Sequence, residues 1–132
     1  VKRLHDLTDQ QLAIMAVVWD RGETTANDIH QAVASTAGLA RGTVGTMLHR
    51  LERQGVLTHR TEGREYFYKA TVSREEVMKA RVQGLVGGLF GGDLTAMVSF
   101  AVSATDSSAK DVDKLAGLLE SYRTKTRPLR GD

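Results

Sequence analysis

The stretch ARGTVGTMLHRLERQG, residues 40–55, gathers the side chains in this chain best equipped to meet an anion. Arg41, Arg50 and Arg53 carry forked cationic donors, His49 can take up a proton, and Thr43 and Thr46 each offer a hydroxyl beside a methyl group. These groups address nucleic acid: guanidinium forks fit phosphates and the guanine edge, and a threonine methyl can meet the methyl of thymine. Gly42 and Gly45 sit among them, and each costs a helix roughly 0.5–1 kcal/mol relative to alanine.

Turning 100° per residue, Val44, Leu48 and Leu51 gather within about 60° of one another and face inward. The opposite side carries Gly42, Thr46, His49 and Arg53, flanked by Thr43, Gly45 and Arg50. An edge slim in its first two turns and basic beyond them suits a helix entering the DNA major groove. There, short side chains permit a deep approach, and backbone N–H groups at the helix start can take phosphates. The competing explanation is that the glycines are tolerated near a helix end or admit a close neighbour within the protein.

The flanking elements favour the first explanation. LTDQQLAIMAVVWDRG opens with a Thr8–Gln11 capping box and runs helically through Leu12, Met15, Ala16 and Trp19 to Gly22. TTANDIHQAVAST restarts a helix at Thr24 or Thr25 and buries Ile29 and Val33. After the AGLA turn comes the third helix, ending at Gly55, and then VLTHR and EYFYKA, β-rich segments around the turn-like TEGR. Three helices followed by a two-stranded ribbon give the element order of a winged helix. The expected class is mainly α with a small β-hairpin wing, joined to a C-terminal helical dimerisation arm. Arg60 and Arg64 flank the ribbon tip, where they could straddle a phosphate backbone. The candidate DNA-binding set is therefore Thr25, Arg41, Gly42, Thr43, Gly45, Thr46, His49, Arg50, Arg53, Arg60 and Arg64.

Charge is distributed in keeping with this, although the chain as a whole is only +2. Residues 1–40 set three cations against five carboxylates, whereas residues 41–70 set six cations against three. Catalysis is not expected. The four histidines form no HExxH or other metal-ligand spacing, and there is no P-loop, nucleophile elbow or GxGxxG. With no cysteine, disulfides and thiolate metal sites are excluded, and no cofactor or metal is expected. No apolar run approaches the roughly 20 residues of a membrane span, so no membrane insertion is expected. The segment VKRLHDLTDQQ lacks the apolar stretch of a secretory signal, and a cytoplasmic location is expected.

Beyond residue 72 the pattern is helical again. Ser73 and Glu76 cap a segment carrying Val77, Val82, Leu85, Val86 and Leu89. GLVGGLFGGD then packs Gly84, Gly87, Gly88, Gly91 and Gly92 together, predicting a helix end, a kink or a hinge. Asp93 caps DLTAMVSFAVSA, and Ser108 caps SAKDVDKLAGLLESYRT. These helices have apolar stripes but too few residues for a second independent core, so pairing with a second copy is expected. The expected dimerisation positions are Leu85, Leu89, Met97, Phe100, Val112, Leu115, Leu119 and Tyr122. The expected division is a DNA-binding domain over 1–72, a dimerisation domain over 73–126 and a flexible tail over 127–132.

LTDQQLAIMAVVWDRGETTANDIH, GLARGTVGTMLHRLERQGVLTHRTEGREYFYKA and the run from EEVMKARV to DVDKLAGLLE together resemble the BlaI/MecI/CopY penicillinase-repressor family of bacterial regulators. The resemblance spans nearly the whole chain. It implies a homodimeric repressor on palindromic double-stranded operator DNA, controlling β-lactamase, resistance-determinant or copper-homeostasis genes. Copper-responsive relatives use a cysteine-rich site that this chain lacks. Antibiotic-responsive relatives are released through a membrane sensor protease system by cleavage at an Asn–Phe bond. The matching position here is Ser99–Phe100, which keeps only the phenylalanine; Phe100 as dimer core is the competing role. The alternatives in function are a ligand-responsive winged-helix regulator of another family and a winged helix used for protein contacts.

Overall fold

The computed structural model describes residues 4–126 and divides into two compact units, the first ending at Leu85 and the second starting at Val86. The tail over 127–132 lies outside the described residues.

The first unit opens with a single 3-10 turn, Leu4–Asp6, followed by α1, Asp9–Arg21. The Thr8–Gln11 capping box forms: Thr8 N–H donates to Gln11 Oε1 at 2.9 Å, and Gln11 N–H to Thr8 Oγ1 at 3.1 Å. The buried face of α1 is Gln11, Ile14, Met15 and Val18, whereas Leu12, Ala16 and Trp19 are only half-buried. That differs from the expected stripe because LAIMAVVW is apolar all round, and periodicity alone does not choose the face of such a helix. Trp19 packs at the side of the core, donating its Nε1–H to Val72 O at 2.9 Å beneath the Arg74 guanidinium.

After β1 (Thr24–Thr25) come α2 (Ala26–Thr36), α3 (Arg41–Arg53), β2 (Leu57–Glu62) and β3 (Glu65–Ala70). Ile29 and Val33 of α2 and Val44, Leu48 and Leu51 of α3 join the α1 face in one aliphatic core, closed by Val56, Leu57 and Tyr68. Gly63 holds φ at +63° in the first central position of the β2–β3 turn, and Arg64 has no positive φ. That sign pattern belongs to a type II′ turn, which matches the natural strand twist.

The sheet is three-stranded, in the order β1-β3-β2, rather than the two-stranded ribbon expected. Thr24 pairs with Tyr68 and Thr25 with Phe67, antiparallel. Two residues are too few to show alternation in sequence, and the pairing arises only because the α1–α2 connection reaches the free edge of β3.

α4, Arg74–Gly84, completes this unit instead of beginning the next. Its capping box forms between Ser73 and Glu76, and Val77 is buried in the core. Arg81 donates to the Leu7 carbonyl, and Arg74 pairs with Asp20 at 3.0 Å. The first compact unit therefore continues past the expected boundary at residue 72, because α4 supplies core.

From Leu85, the last residue of the first unit, the glycine cluster gives a π-helical turn, Leu85–Leu89, then a break in the second unit with Gly91 and Gly92 at positive φ. α5 (Leu94–Ala104) is capped by Asp93, whose side chain accepts from Ala96 N–H at 3.0 Å. α6 (Ala109–Thr126) is preceded by a reciprocal Ser108–Asp111 pair, both bonds 3.1 Å. No described residue of α5 or α6 is buried. No single helix among the described residues is long and apolar enough to cross a membrane.

Candidate nucleic-acid interface

α3 presents two faces of opposite character. Val44, Leu48 and Leu51 are buried, whereas Gly42, Thr43, Gly45, Thr46, His49, Arg50 and Arg53 are all exposed. Beyond the backbone of α3 itself, a Cβ added at Gly42 or Gly45 would find no atom of a described residue within 4 Å. Neither glycine makes room for a neighbour among the described residues, which removes that part of the competing explanation and leaves tolerance near a helix end. The slim edge faces open space, beside a shallow hollow lined by Ala40, Thr43, Thr46, Met47 and Arg50.

The helix start is left open as well. Its N-cap, Ala40, has no side chain to accept from the first-turn N–H groups, unlike the caps of α1, α2, α4 and α5. These orphan donors, at the positive end of the helix dipole, are available to an incoming oxygen. Arg41 donates to Asn27 Oδ1 at 3.2 Å, which ties it to α2, and Thr46 Oγ1 donates back to the Gly42 carbonyl at 3.1 Å. Thr46 remains exposed with that bond made. Arg50 and Arg53, near the far end of the helix, make no ion pair with another described residue, and neither does Arg64 at the wing tip.

Two of the expected DNA-binding residues are otherwise engaged. Thr25 is buried, and its hydroxyl accepts from Asp28 N–H at 3.1 Å as the cap of α2. Its side chain is structural because β1 carries it into the sheet. Arg60 lies against acids: Nε meets Glu23 Oε2 at 2.9 Å, an Nη meets Glu23 Oε1 at 3.0 Å, and the other meets Glu62 Oε1 at 2.6 Å. Hydrogen bonding to Arg60 lowers the Glu23 pKa, and bonds to Glu23 and Glu62 raise that of Arg60.

The structure also brings in residues that sequence reasoning passed over. A cleft of about 490 Å³ between the second half of α3 and the ribbon is lined by His49, Glu52, Arg53, His59, Tyr66 and Tyr68. His59 Nδ1 lies 2.7 Å from Glu52 Oε2 and stacks on Tyr66 with ring centroids 4.3 Å apart. Burial, then the Glu52 charge and Tyr66, push the Tyr68 hydroxyl pKa above its usual value. Glu52, three residues after His49, was legible as a helix neighbour. The strand partners were not.

A family model for the penicillinase repressors matches residues 7–121. The chain belongs to that family. Over 127 residues it is 23% identical to the penicillinase repressor of Bacillus licheniformis, covering 96% of this chain and 99% of that one. It is 16% identical over 117 residues to the methicillin resistance regulatory protein MecI of Staphylococcus aureus strain N315, covering 89% and 95%. The solution structure of the DNA-binding domain of the repressor BlaI matches at TM-score 0.52 with 28% identity, over 58% of this chain and 93% of that one. A MepR mutant of S. aureus bound to an oligodeoxyribonucleotide matches at TM-score 0.51 with 18% identity, over 92% and 81%, and shares the fold. This penicillinase-repressor family member is thus a winged-helix DNA-binding repressor of the penicillinase and methicillin-resistance type, mainly helical with a small β wing. The family is one of DNA-binding proteins rather than enzymes.

The expected dimerisation residues stand mostly uncovered. Val112, Leu115, Leu119 and Tyr122 recur at three-, four- and three-residue steps along α6, all exposed. Leu85, Leu89 and Phe100 are exposed and Met97 is half-buried. Ser99 and Phe100 sit in the middle of α5, and the Phe90 and Phe100 ring centroids lie 6.2 Å apart. Among the described residues no group of three or more His, Asp or Glu could hold a metal ion.

Proposed function

We propose that this protein represses transcription by binding a palindromic operator as a homodimer, seating α3 in the major groove with the wing beside it. The observation that carries the reading is the outward edge of α3, where no described residue from outside the helix approaches Gly42 or Gly45 and where Arg50 and Arg53 are free of ion pairs with described residues. Gly42, Thr43, Gly45 and Thr46 let the helix sit deep, Thr46 and Arg50 read base edges, and Arg53, His49 and Arg64 meet phosphates. Arg41 holds the helix start against α2 through Asn27. The dimer occupies the promoter and keeps polymerase off it, acting in the cytoplasm where the operator lies.

The exposed stripe on α6 supports the dimer. Alternating three- and four-residue steps are the spacing with which two helices interlock, and an isolated helix exposing four such residues has no core of its own. A two-fold dimer places its two α3 helices on half-sites about 34 Å apart or a multiple of that. Phe100 belongs to the dimer surface in this reading. If release by a membrane sensor protease system operates, cleavage at Ser99–Phe100 requires α5 to unwind locally, since both residues lie within its helical turns.

The test is a footprint and titration of the full chain on the promoter upstream of its own gene, beside a scrambled duplex. Thr46→Ala and Arg50→Ala should each cost about 1–3 kcal/mol on the operator and much less on the scrambled duplex. Equal losses on both duplexes would make these residues phosphate anchors, and a wild-type affinity indifferent to salt would remove DNA as the partner.

A further inference from the structure

We infer that Arg60 is not a phosphate contact but a positioning residue: with Glu23 it braces the outer face of the wing, so that Arg64 is presented to DNA from a fixed ribbon. The inference rests on the DNA-binding reading above and changes how the wing serves it.

Adjacent residues of a strand point to opposite faces, and β2 uses this at two consecutive positions. His59 turns to one face, where it meets Glu52 of α3 and stacks on Tyr66. Arg60 turns to the other, where its guanidinium lies 4.6 Å from the ring centroid of Phe67, its partner across the β2–β3 ladder. From there it reaches the Glu23 carboxylate with two parallel bonds of 2.9 and 3.0 Å. Glu23 sits immediately before β1, the strand that pairs Thr25 with the same Phe67. One side chain thereby links the α1–β1 connection, β3 and β2, mirroring the Glu52–His59 link on the opposite face.

Charge argues against a second duty on DNA. The Arg60 cation is flanked by two carboxylates, Glu23 and Glu62, so its charge and its N–H donors are already committed within the protein, and Lys69 nearby only brings the cluster to neutrality. Arg64 at the turn makes no ion pair with another described residue, which leaves its guanidinium open at the wing tip. The planar fork is also specific to arginine, since lysine carries the charge without the paired geometry.

Three substitutions test this in the full-length protein: Arg60→Lys, Glu23→Gln and Arg64→Ala, each titrated with operator duplex over a range of salt. As a brace, Arg60→Lys and Glu23→Gln each weaken binding about three- to tenfold by loosening the wing, with the salt slope unchanged. Arg64→Ala instead flattens the slope by about one phosphate's worth of released counterion. If Arg60 served a phosphate, Glu23→Gln would free its charge and tighten binding while Arg60→Lys bound nearly as well; either result overturns the inference. Hydrogen exchange of the β2 and β3 amides without DNA separates the two ideas. Faster exchange in both brace variants upholds the brace even if no duplex binds, and unchanged exchange overturns it.

Discussion

Glu52 in the last turn of α3 and His59 in β2 face each other at 2.7 Å, so the helix proposed to read the operator and the wing beside it share a hydrogen bond. The carboxylate lies in the same cleft as His49 and Arg53, the two residues proposed above to meet phosphates. Its charge opposes DNA while its bond supports the wing. Glu52→Gln keeps an acceptor for His59 and removes the charge, so it should tighten operator binding roughly two- to fivefold, the scale of an exposed charge interaction. Glu52→Ala removes the bond as well and should bind more weakly than Glu52→Gln. Fluorescence anisotropy at low salt ranks the three proteins.

Gly45 sets stability against function. Outside the backbone of α3, no atom of a described residue lies within 4 Å of an added Cβ, and the Gly45 φ is not positive, so Gly45→Ala meets no clash with them. It should stabilise α3 by about 1 kcal/mol and raise the melting temperature by roughly 4–8 °C if the first unit unfolds cooperatively. The same methyl sits on the edge proposed to enter the groove, so operator affinity should fall. Calorimetry and a binding titration on one preparation check both directions, and a more stable variant with undiminished affinity would show that the edge stays clear of DNA.

Leu119 is exposed on α6 between Leu115 and Tyr122 of the apolar stripe. An aspartate there leaves the free helix little changed but places a charge in any paired interface. Leu119→Asp should turn a dimer into a monomer by light scattering, and operator affinity should drop because two half-sites are no longer linked. A monomeric variant that bound the operator at wild-type strength would uncouple pairing from recognition.

Acid should loosen the wing. Hydrogen bonding to Arg60, with smaller help from the Arg60 and Lys69 charges, holds the Glu23 carboxyl pKa below its ordinary value. A lowered carboxylate contributes stability that is complete above the unfolded pKa of about 4.3 and is lost as pH falls through the lower folded value. Wild-type protein should therefore show the β2 and β3 amide resonances moving together as pH falls below the ordinary carboxylate range, and Glu23→Gln should show a smaller step, with only Glu62 left to pair with Arg60.

Much of the local structure is written in short-range pairs. Thr8 with Gln11 and Ser73 with Glu76 mark helix starts because each partner lies three residues away, within one turn. The two faces of α3 follow from its 3.6-residue period, and the β2–β3 turn from the one residue, Gly63, that takes positive φ freely. The slim, basic edge of α3 was for that reason visible before any fold.

Tertiary structure decided the rest. Thr25 is a plausible DNA contact by type, and only its place in β1 buries it. Arg60 reads as a free wing cation until folding brings Glu23, 37 residues earlier, within 3.0 Å. α4 reads as the first helix of the arm until Val77 is seen in the core. Caps, turns and amphipathic faces depend on residues within one or two turns, whose geometry the backbone alone imposes. Strand partners, ion pairs across elements and unit boundaries depend on which distant surfaces meet, and no local pattern of residue types carries that.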